Sequence, residues 1–440
     1  MPRSAPPPAL LAPGYQERVF WQTQATPPVI DPHGLPASTD VVIVGAGYCG
    51  LSAARELGRR GRSVVVVEQD PIGVGASTRN GGMVLPELKA GPAALEHKYG
   101  AVGRHLYAEV NDAFDHVEAL IADEGIECDY HRGGQLYLAH NRAHVPGLQA
   151  MVAEHGGELG EPVYWVPADE LGDEIGSRAF HGGVVLERSG GLHPARYHAG
   201  LARLALAAGA DLHDRTTAIS LQRRSGGRGG FRLTTSRGTI DAAHVIVATN
   251  AYADGLVPWL HRRVVPVGSY IIATEVLDPE VARGVSPRDR MLVDTKNFLF
   301  YWRLSPDGRV LFGGRRSLAP ATIPEARDFL YESMLQVHPQ LAGVALEFAW
   351  GGNVAVTYDR MPHFGRVPSG DAEGAIFATG CNGSGVALNS WLGVRAAAVV
   401  EGEASPSFAE IPFPAVPLHA ARSAYLPVVG QWFGWQDRRP

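Results

Sequence analysis

Cysteine is scarce in this chain. Cys49, Cys128 and Cys381 are the only three in 440 residues, far apart and odd in number. They form neither a disulfide framework nor a CxxC metal pair, so no metal site is expected and a reducing compartment fits. Basic blocks are missing too: 39 Lys and Arg against 45 Asp and Glu leave a net charge of −6, without the electrostatic footprint of a nucleic-acid binder. No apolar run reaches the roughly 20 residues of a membrane-spanning helix. The proline-rich residues 1–35 lack the cationic-then-apolar order of a secretory signal, and a cytoplasmic protein is expected. Apart from that arm there is no low-complexity tract, and there are no internal repeats. What remains is ordinary for a soluble protein, with 45% hydrophobic and 19% charged residues. A chain of this length buries roughly three quarters of its unfolded surface without metals or disulfides.

Against that background residues 40–68 stand out. The apolar run 41–44 ends in Gly45-x-Gly47-x-x-Gly50, an alanine-rich segment follows, and a second apolar run, 64–67, ends in Glu68. Gly45 permits a sharp turn off a buried strand, Gly47 lets backbone approach a pyrophosphate, and Gly50 lets the following helix pack on the sheet. The phosphates then meet unpaired N–H groups at the positive end of that helix. Glu68 lies 18 residues beyond Gly50, where a carboxylate accepts from the hydroxyls of an adenosine ribose and repels a 2′-phosphate. An adenine dinucleotide other than NADP is therefore expected, with NAD and FAD both open on these residues alone.

Further along, 73–82 holds too much glycine for a helix. Leu95, Tyr99, Leu106, Val110, Phe114, Val117 and Ile121 predict one helix over about 93–124. Short strands are expected at 136–138 and 184–186, a helix at 196–208, and a buried strand at 245–250. Strands at 264–274, 297–304, 310–313 and 346–350 follow, with Asp307-Gly308 marking a hairpin. The strand 375–380 enters a second glycine-rich turn, Cys381-Asn-Gly-Ser-Gly-Val386, and a helix over 385–401. Nucleotide-type pieces thus interleave with sheet-forming ones, which suits one open α/β domain and one inserted domain.

In this order, the motif at 43–50, Gly75-Ala-Ser-Thr-Arg-Asn-Gly-Gly82, Val247-Ala-Thr-Asn-Ala251 and Gly380-Cys-Asn-Gly-Ser-Gly-Val386 resemble the FAD-dependent D-amino-acid oxidase superfamily, which includes the glycine and sarcosine oxidases. Within it the chain looks most like the γ-glutamylputrescine oxidase-like branch, although Thr78 stands where that branch has glycine. Pro266-Val-Gly-Ser-Tyr270, Leu311-Phe-Gly-Gly-Arg315, Trp350-Gly-Gly352 and Asp359-Arg-Met-Pro-His363 share the likeness, which spans about 38–402. It implies an α/β fold: a Rossmann-like FAD-binding domain (38–95, 190–262 and 345–402) and a substrate domain on a mostly antiparallel sheet (96–189 and 263–344). Terminal arms would flank them at 1–37 and 403–440.

The resemblance also implies roles. Gly45, Gly47 and Gly50 would hold the FAD pyrophosphate and Glu68 the ribose. Ser77, Arg79, Asn80 and Gly82 would border the ribityl chain and flavin ring, and Ala218 the adenine. Gly380, Gly383, Ser384 and Gly385 would aim N–H groups at the flavin edge where negative charge develops on reduction. A non-covalent cofactor is expected, with Cys381 the nearest residue able to attach one.

The implied chemistry is oxidation of an amine or amino acid: a C–N bond becomes an imine, a hydride passes to the flavin, and the imine hydrolyses. Tyr270, Tyr301, Trp302 and Trp350 are candidates for an aromatic wall around the amine. Arg303, Arg315 and Arg316 are candidates for a substrate carboxylate, Arg315 foremost because it follows the Gly313-Gly314 strand end. Asp294 could pair with a substrate cation but reads first as a solvated turn aspartate, His363 as a structural histidine and His193 as part of a helix start. No general base stands out. Relatives place a lysine near the flavin to promote reaction with oxygen; 310–317 has none, and Lys296 fits that position poorly. A dehydrogenase using another acceptor, or a flavin-binding protein without catalysis, is the alternative reading. The partners expected are a small amine or amino acid and an electron acceptor, with the protein a monomer or homodimer.

Overall fold

The computed structural model describes residues 9–158, 162–224, 229–253 and 255–437. Parts of both terminal arms, 1–8 and 438–440, lie outside the described residues. Two large sheets make up most of the strands. The first has eight strands, with Ser38–Val44 between Gly238–Val247 and Val64–Val67, and Asp211–His213 at the edge. Val41, Ile43, Val64 and Val66 enter the core on one face, while Val42, Val44, Val65 and Val67 enter the core on the other. Runs of valine without polar alternation are what parallel strands covered on both faces require. Ile376–Thr379 joins in parallel to the end of Gly238–Val247.

The second sheet has nine strands and is mostly antiparallel. Its longest pair, Val264–Thr274 with Leu346–Thr357, stays in register from Val264↔Thr357 to Ala273↔Phe348. The hairpin at Asp307-Gly308 joins Tyr301–Leu304 to Val310–Gly314, with Gly308 at φ +86°. Helix Ile323–Val337 covers one face of this sheet, over Trp302, Phe312 and Ile272.

The chain departs from its sequence-based reading in places, each for a local reason. The long helix is two, Pro92–Tyr99 and Ala101–Asp123, broken at Gly100 with φ +61°. The second of these, read as part of the substrate domain, packs with the nucleotide-sheet core through Leu106, Val110, Phe114 and Val117. Leu346–Thr357, assigned to the cofactor domain, belongs to the nine-stranded sheet. The strand expected from 297 starts only at Tyr301. Asn297 and Phe298 donate their N–H groups to the Asp437 carboxylate at 2.8 and 3.0 Å, and Phe300 donates to Asp294 Oδ1 at 2.9 Å, so these donors are lost to a ladder. The N-terminal arm adds the parallel edge strand Leu11–Gln16 to the same sheet and buries Phe20 and Trp21 completely.

Candidate functional site

Gly45 leaves the strand Ser38–Val44 at φ +103°, a region that L side chains rarely adopt. Helix Tyr48–Arg59 begins just beyond, and Gly50 packs so tightly that a Cβ would lie 1.9 Å from Gly45 O. Helix Gly385–Val400 lies against it, a Cβ on Gly393 coming within 2.2 Å of Cys49 O. Held this way, both helices open their N-termini into one cavity of about 1250 Å³. Neither end is capped by its own N-cap residue: Gly47 has no side chain, and Ser384 Oγ donates instead to Glu87 Oε1 at 2.6 Å. Two positive helix ends with glycine on the approach fit a pyrophosphate and an electron-rich ring edge.

At the far end of the cavity Glu68 accepts from Ala46 N–H at 2.9 Å and from Asp70 N–H at 3.1 Å. Burial pushes its carboxyl pKa up, with those N–H groups acting against the shift. Ala218 lines the cavity close by, where the Thr216 N–H bonds Glu68 O at 2.7 Å. The loop at 73–82 supplies Ser77, whose Oγ accepts from Tyr48 N–H at 3.1 Å. Asn80 donates to the carbonyls of Ala76 and Ser77 and accepts from Gly82 N–H. Arg79 ties the loop to the nine-stranded sheet through Gly351 O at 2.9 Å. Thr78, the departure from the branch pattern, donates to Gly73 O at 2.6 Å and accepts from Gln22 of the N-terminal arm at 2.7 Å.

Gly45, Gly47, Glu68, Ser77, Arg79, Asn80, Ala218, Gly383, Ser384 and Gly385 all line this cavity; Gly50, Gly82 and Gly380 do not. Gly50 serves the helix packing already described. Gly82 lies buried with φ +71° under Leu192 O, and Gly380 turns at φ +78° against Thr357.

The substrate candidates divide by the pleat, because successive side chains of a strand point to opposite faces. Tyr301 faces the cavity and shares a hydrogen bond of 3.1 Å with Ser269 Oγ; its neighbour Trp302 is wholly buried on the other face beside Phe312 and Phe180. Val265, Val267 and Ser269 line the cavity, so Tyr270 points away and bonds Ala321 O at 2.8 Å. Trp350 is sealed off under Arg79, to whose carbonyl its indole N–H donates at 2.8 Å. Tyr270 and Trp350 line a separate shallow hollow, not the main cavity.

Of the three arginines only Arg315 reaches the cavity, where among the described residues no hydrogen bond or ion pair meets its guanidinium. Burial lowers its pKa. Arg303 is buried beneath the loop, donating to Gly82 O and Leu192 O at 3.1 and 3.0 Å, and Arg316 is exposed. Asp294 is no solvated turn residue: it is fully buried, and burial pushes its carboxyl up to about 6 despite the Lys296 ammonium 3.3 Å away. His193 accepts from Arg196 N–H at the start of helix Pro194–Ala207, and His363 stacks on Phe413 and bonds Asp359.

Sequence reasoning missed several lining residues. Glu87 and Lys89 form an ion pair of 3.3 Å against Ser384. Burial pushes Glu87 up, but the Lys89 charge and the Ser384 hydroxyl outweigh it and leave the carboxyl below its usual range. His198 bonds Ala46 O at 2.7 Å and is kept neutral by burial. Lys296, set aside on sequence as a poor match for an oxygen-promoting lysine, also lines the cavity, with its ammonium over the Phe300 ring. Tyr425, Leu426, Val429 and Phe433 on helix Arg422–Gln436 form an apolar wall. No motif marks any of them, and Pro427 inside that last helix disguises it.

A model of the FAD dependent oxidoreductase family matches residues 40–398. The chain is 32% identical over 370 residues to a probable oxidoreductase OrdL of Haemophilus influenzae, covering 83% of each chain. It is 29% identical over 404 residues to the γ-glutamylputrescine oxidoreductase of Escherichia coli, covering 91% of this chain and 93% of that one. Among solved structures, glycine oxidase from Geobacillus kaustophilus superposes with a TM-score of 0.74 at 23% identity, over 87% of this chain and 99% of that one. Among the described residues no helix is long and apolar enough to cross a membrane.

Proposed function

Because the chain belongs to the FAD dependent oxidoreductase family, we propose that it oxidises the C–N bond of a small primary or secondary amine that also bears a carboxylate, with γ-glutamylputrescine or an amino acid as the type. FAD, held without a covalent link, would have its pyrophosphate at Gly45, Gly47 and the helix end at Tyr48, its ribose at Glu68 and its adenine beside Ala218. Its flavin portion would lie among Ser77, Arg79, Asn80, Gly383, Ser384 and Gly385. When bound, FAD supplies the two-electron acceptor for converting amine to imine, which water then hydrolyses.

Arg315 is the observation that supports the carboxylate. A cation in a half-buried wall with no partner among the described residues is unfavourable until an anion meets it, and a guanidinium meets a carboxylate through two parallel hydrogen bonds. Tyr301 adds a hydroxyl to the same wall, and burial raises its pKa. An aliphatic amine arrives as ammonium, with a pKa of roughly 10. The apolar wall of Leu426, Val429 and Phe433 penalises that charged form and favours the free amine. Lys89 and Lys296 both line the cavity, each paired with a carboxylate at 3.3 Å, Glu87 and Asp294 respectively.

The test is steady-state turnover of γ-glutamylputrescine and of putrescine, which lacks the carboxylate, followed by peroxide release and by dye reduction. Arg315→Ala should lower kcat/KM for γ-glutamylputrescine about 10- to 100-fold, as loss of a charged hydrogen-bond partner does, while leaving putrescine turnover unchanged. An equal effect on both substrates would remove Arg315 from carboxylate binding. Dye reduction without peroxide would make the enzyme a dehydrogenase.

A further inference from the structure

Asp211–His213 is the edge strand of the eight-stranded sheet, paired in parallel with Val64–Val67. Its residues 211 and 213 project to the same side. Residue 33, from the N-terminal arm, is brought onto that side by the fold. His33 Nδ1 lies 2.8 Å from Asp31 O, and a carbonyl only accepts, so Nδ1 carries a proton. That Nε2 faces Asp211 Oδ1 at 2.5 Å, while the other oxygen of Asp211 lies 3.0 Å from His213 Nε2. His213 is 1% exposed, and neither of its ring nitrogens makes a hydrogen bond. The two imidazole rings are 4.3 Å apart.

Two imidazoles and one carboxylate converge here. A second proton on His33 would satisfy its contact with Asp211, but the approach of Asp211 to His213 Nε2 falls outside hydrogen-bond geometry and His213 Nδ1 meets no partner among the described residues. A divalent cation relieves all three. One donor atom from each residue lies within 4.8 Å of the others, so modest side-chain rotation brings them to the roughly 2.0–2.2 Å of zinc ligation, with water in the fourth position. His33 and Asp211 are partly exposed, which gives the ion a way in from solvent. Imidazole nitrogens select zinc or a similar transition metal over magnesium or calcium. The bond from His33 Nδ1 to the Asp31 carbonyl is the outer-shell contact that fixes a ligating histidine.

We propose that His33, Asp211 and His213 form a zinc-type site that fastens the N-terminal arm to the edge of the nucleotide sheet. The site adjoins the adenosine end of the cavity: His213 O accepts from Glu68 N–H at 2.9 Å, and Arg237 donates to His33 O at 2.6 Å and to Thr216 Oγ1 at 3.4 Å. It lies outside the reacting part of the molecule and is independent of which amine is oxidised.

Calorimetric titration of the purified, EDTA-treated and desalted full chain with zinc chloride tests it. Wild type should show one saturable site. His33→Ala, a change in the exposed arm that spares the fold, should weaken that site at least tenfold, as should Asp211→Asn. Zinc should also raise the Tm of wild type and not that of His33→Ala. No saturable binding by wild type, or equal binding by both variants, would overturn the proposal.

Discussion

The two sheets of this molecule place function in different parts of the chain. In the eight-stranded sheet the work is done by backbone: Gly45 turns, Gly50 allows contact, and two helix ends present N–H groups to one cavity. In the nine-stranded sheet it is done by side chains at every second position, so that Tyr301 reaches the cavity and Trp302 cannot. A backbone site tolerates few residue types and leaves glycines at fixed spacing. A side-chain site leaves only a parity, and a register shift of one residue would exchange all its members.

Gly50→Ala should break the backbone half of this contrast. A Cβ 1.9 Å from Gly45 O cannot be accommodated without moving the turn, so we expect a loss of about 3 kcal/mol together with loss of FAD from the purified protein. Thermal melting and flavin absorbance read both; a holoprotein of wild-type Tm would contradict the packing argument. The pair Tyr301 and Trp302 sharpens the other half. Trp302→Ala should cost about 3–5 kcal/mol yet leave kcat/KM of the folded fraction within about twofold, since it touches core alone. Tyr301→Phe should do the reverse, with Tm held and kcat/KM lowered. If the two variants behave alike, the assignment of faces fails.

A smaller effect is expected at Glu68. Glu68→Gln should weaken FAD binding about tenfold, in line with loss of a charged acceptor, and leave turnover at saturating FAD unchanged. Fluorescence titration of the apoprotein measures it, and unchanged affinity would detach Glu68 from the ribose. A pH effect at Asp294 probes the buried side chains of the nine-stranded sheet. Its folded pKa, about 6, lies above the ordinary value of 3.8, so the folded state holds the proton more tightly. The stabilisation is complete below about pH 4 and is lost as pH rises to about 6, a change on the order of 3 kcal/mol. Asp294→Asn should flatten that part of a urea-denaturation profile; a slope kept in the variant would assign it to other groups.

The contrast also explains what the sequence disclosed. The turn at 45–50, the valine strands, the second glycine-rich turn and the hairpin at Asp307-Gly308 were legible because each depends on a residue type that the backbone demands. Arg315 was legible because it follows a strand end. Tyr270 and Trp350 were misplaced because composition suggested an aromatic wall, whereas the pleat and the Arg79 loop direct both elsewhere. Glu87, Lys89 and His198 had no spacing to betray them, since they meet the cavity only through tertiary packing. The wall from helix Arg422–Gln436 and the approach of His33 to His213 join residues so distant in the chain that no local pattern records them.

The account rests most directly on an anaerobic absorbance titration of the purified protein with γ-glutamylputrescine, amino acids and putrescine. It predicts a two-banded flavin spectrum that bleaches with a carboxylate-bearing amine at concentrations where putrescine has no effect. A flavin that stays coloured across the panel, or a colourless protein that takes up no FAD, would contradict it.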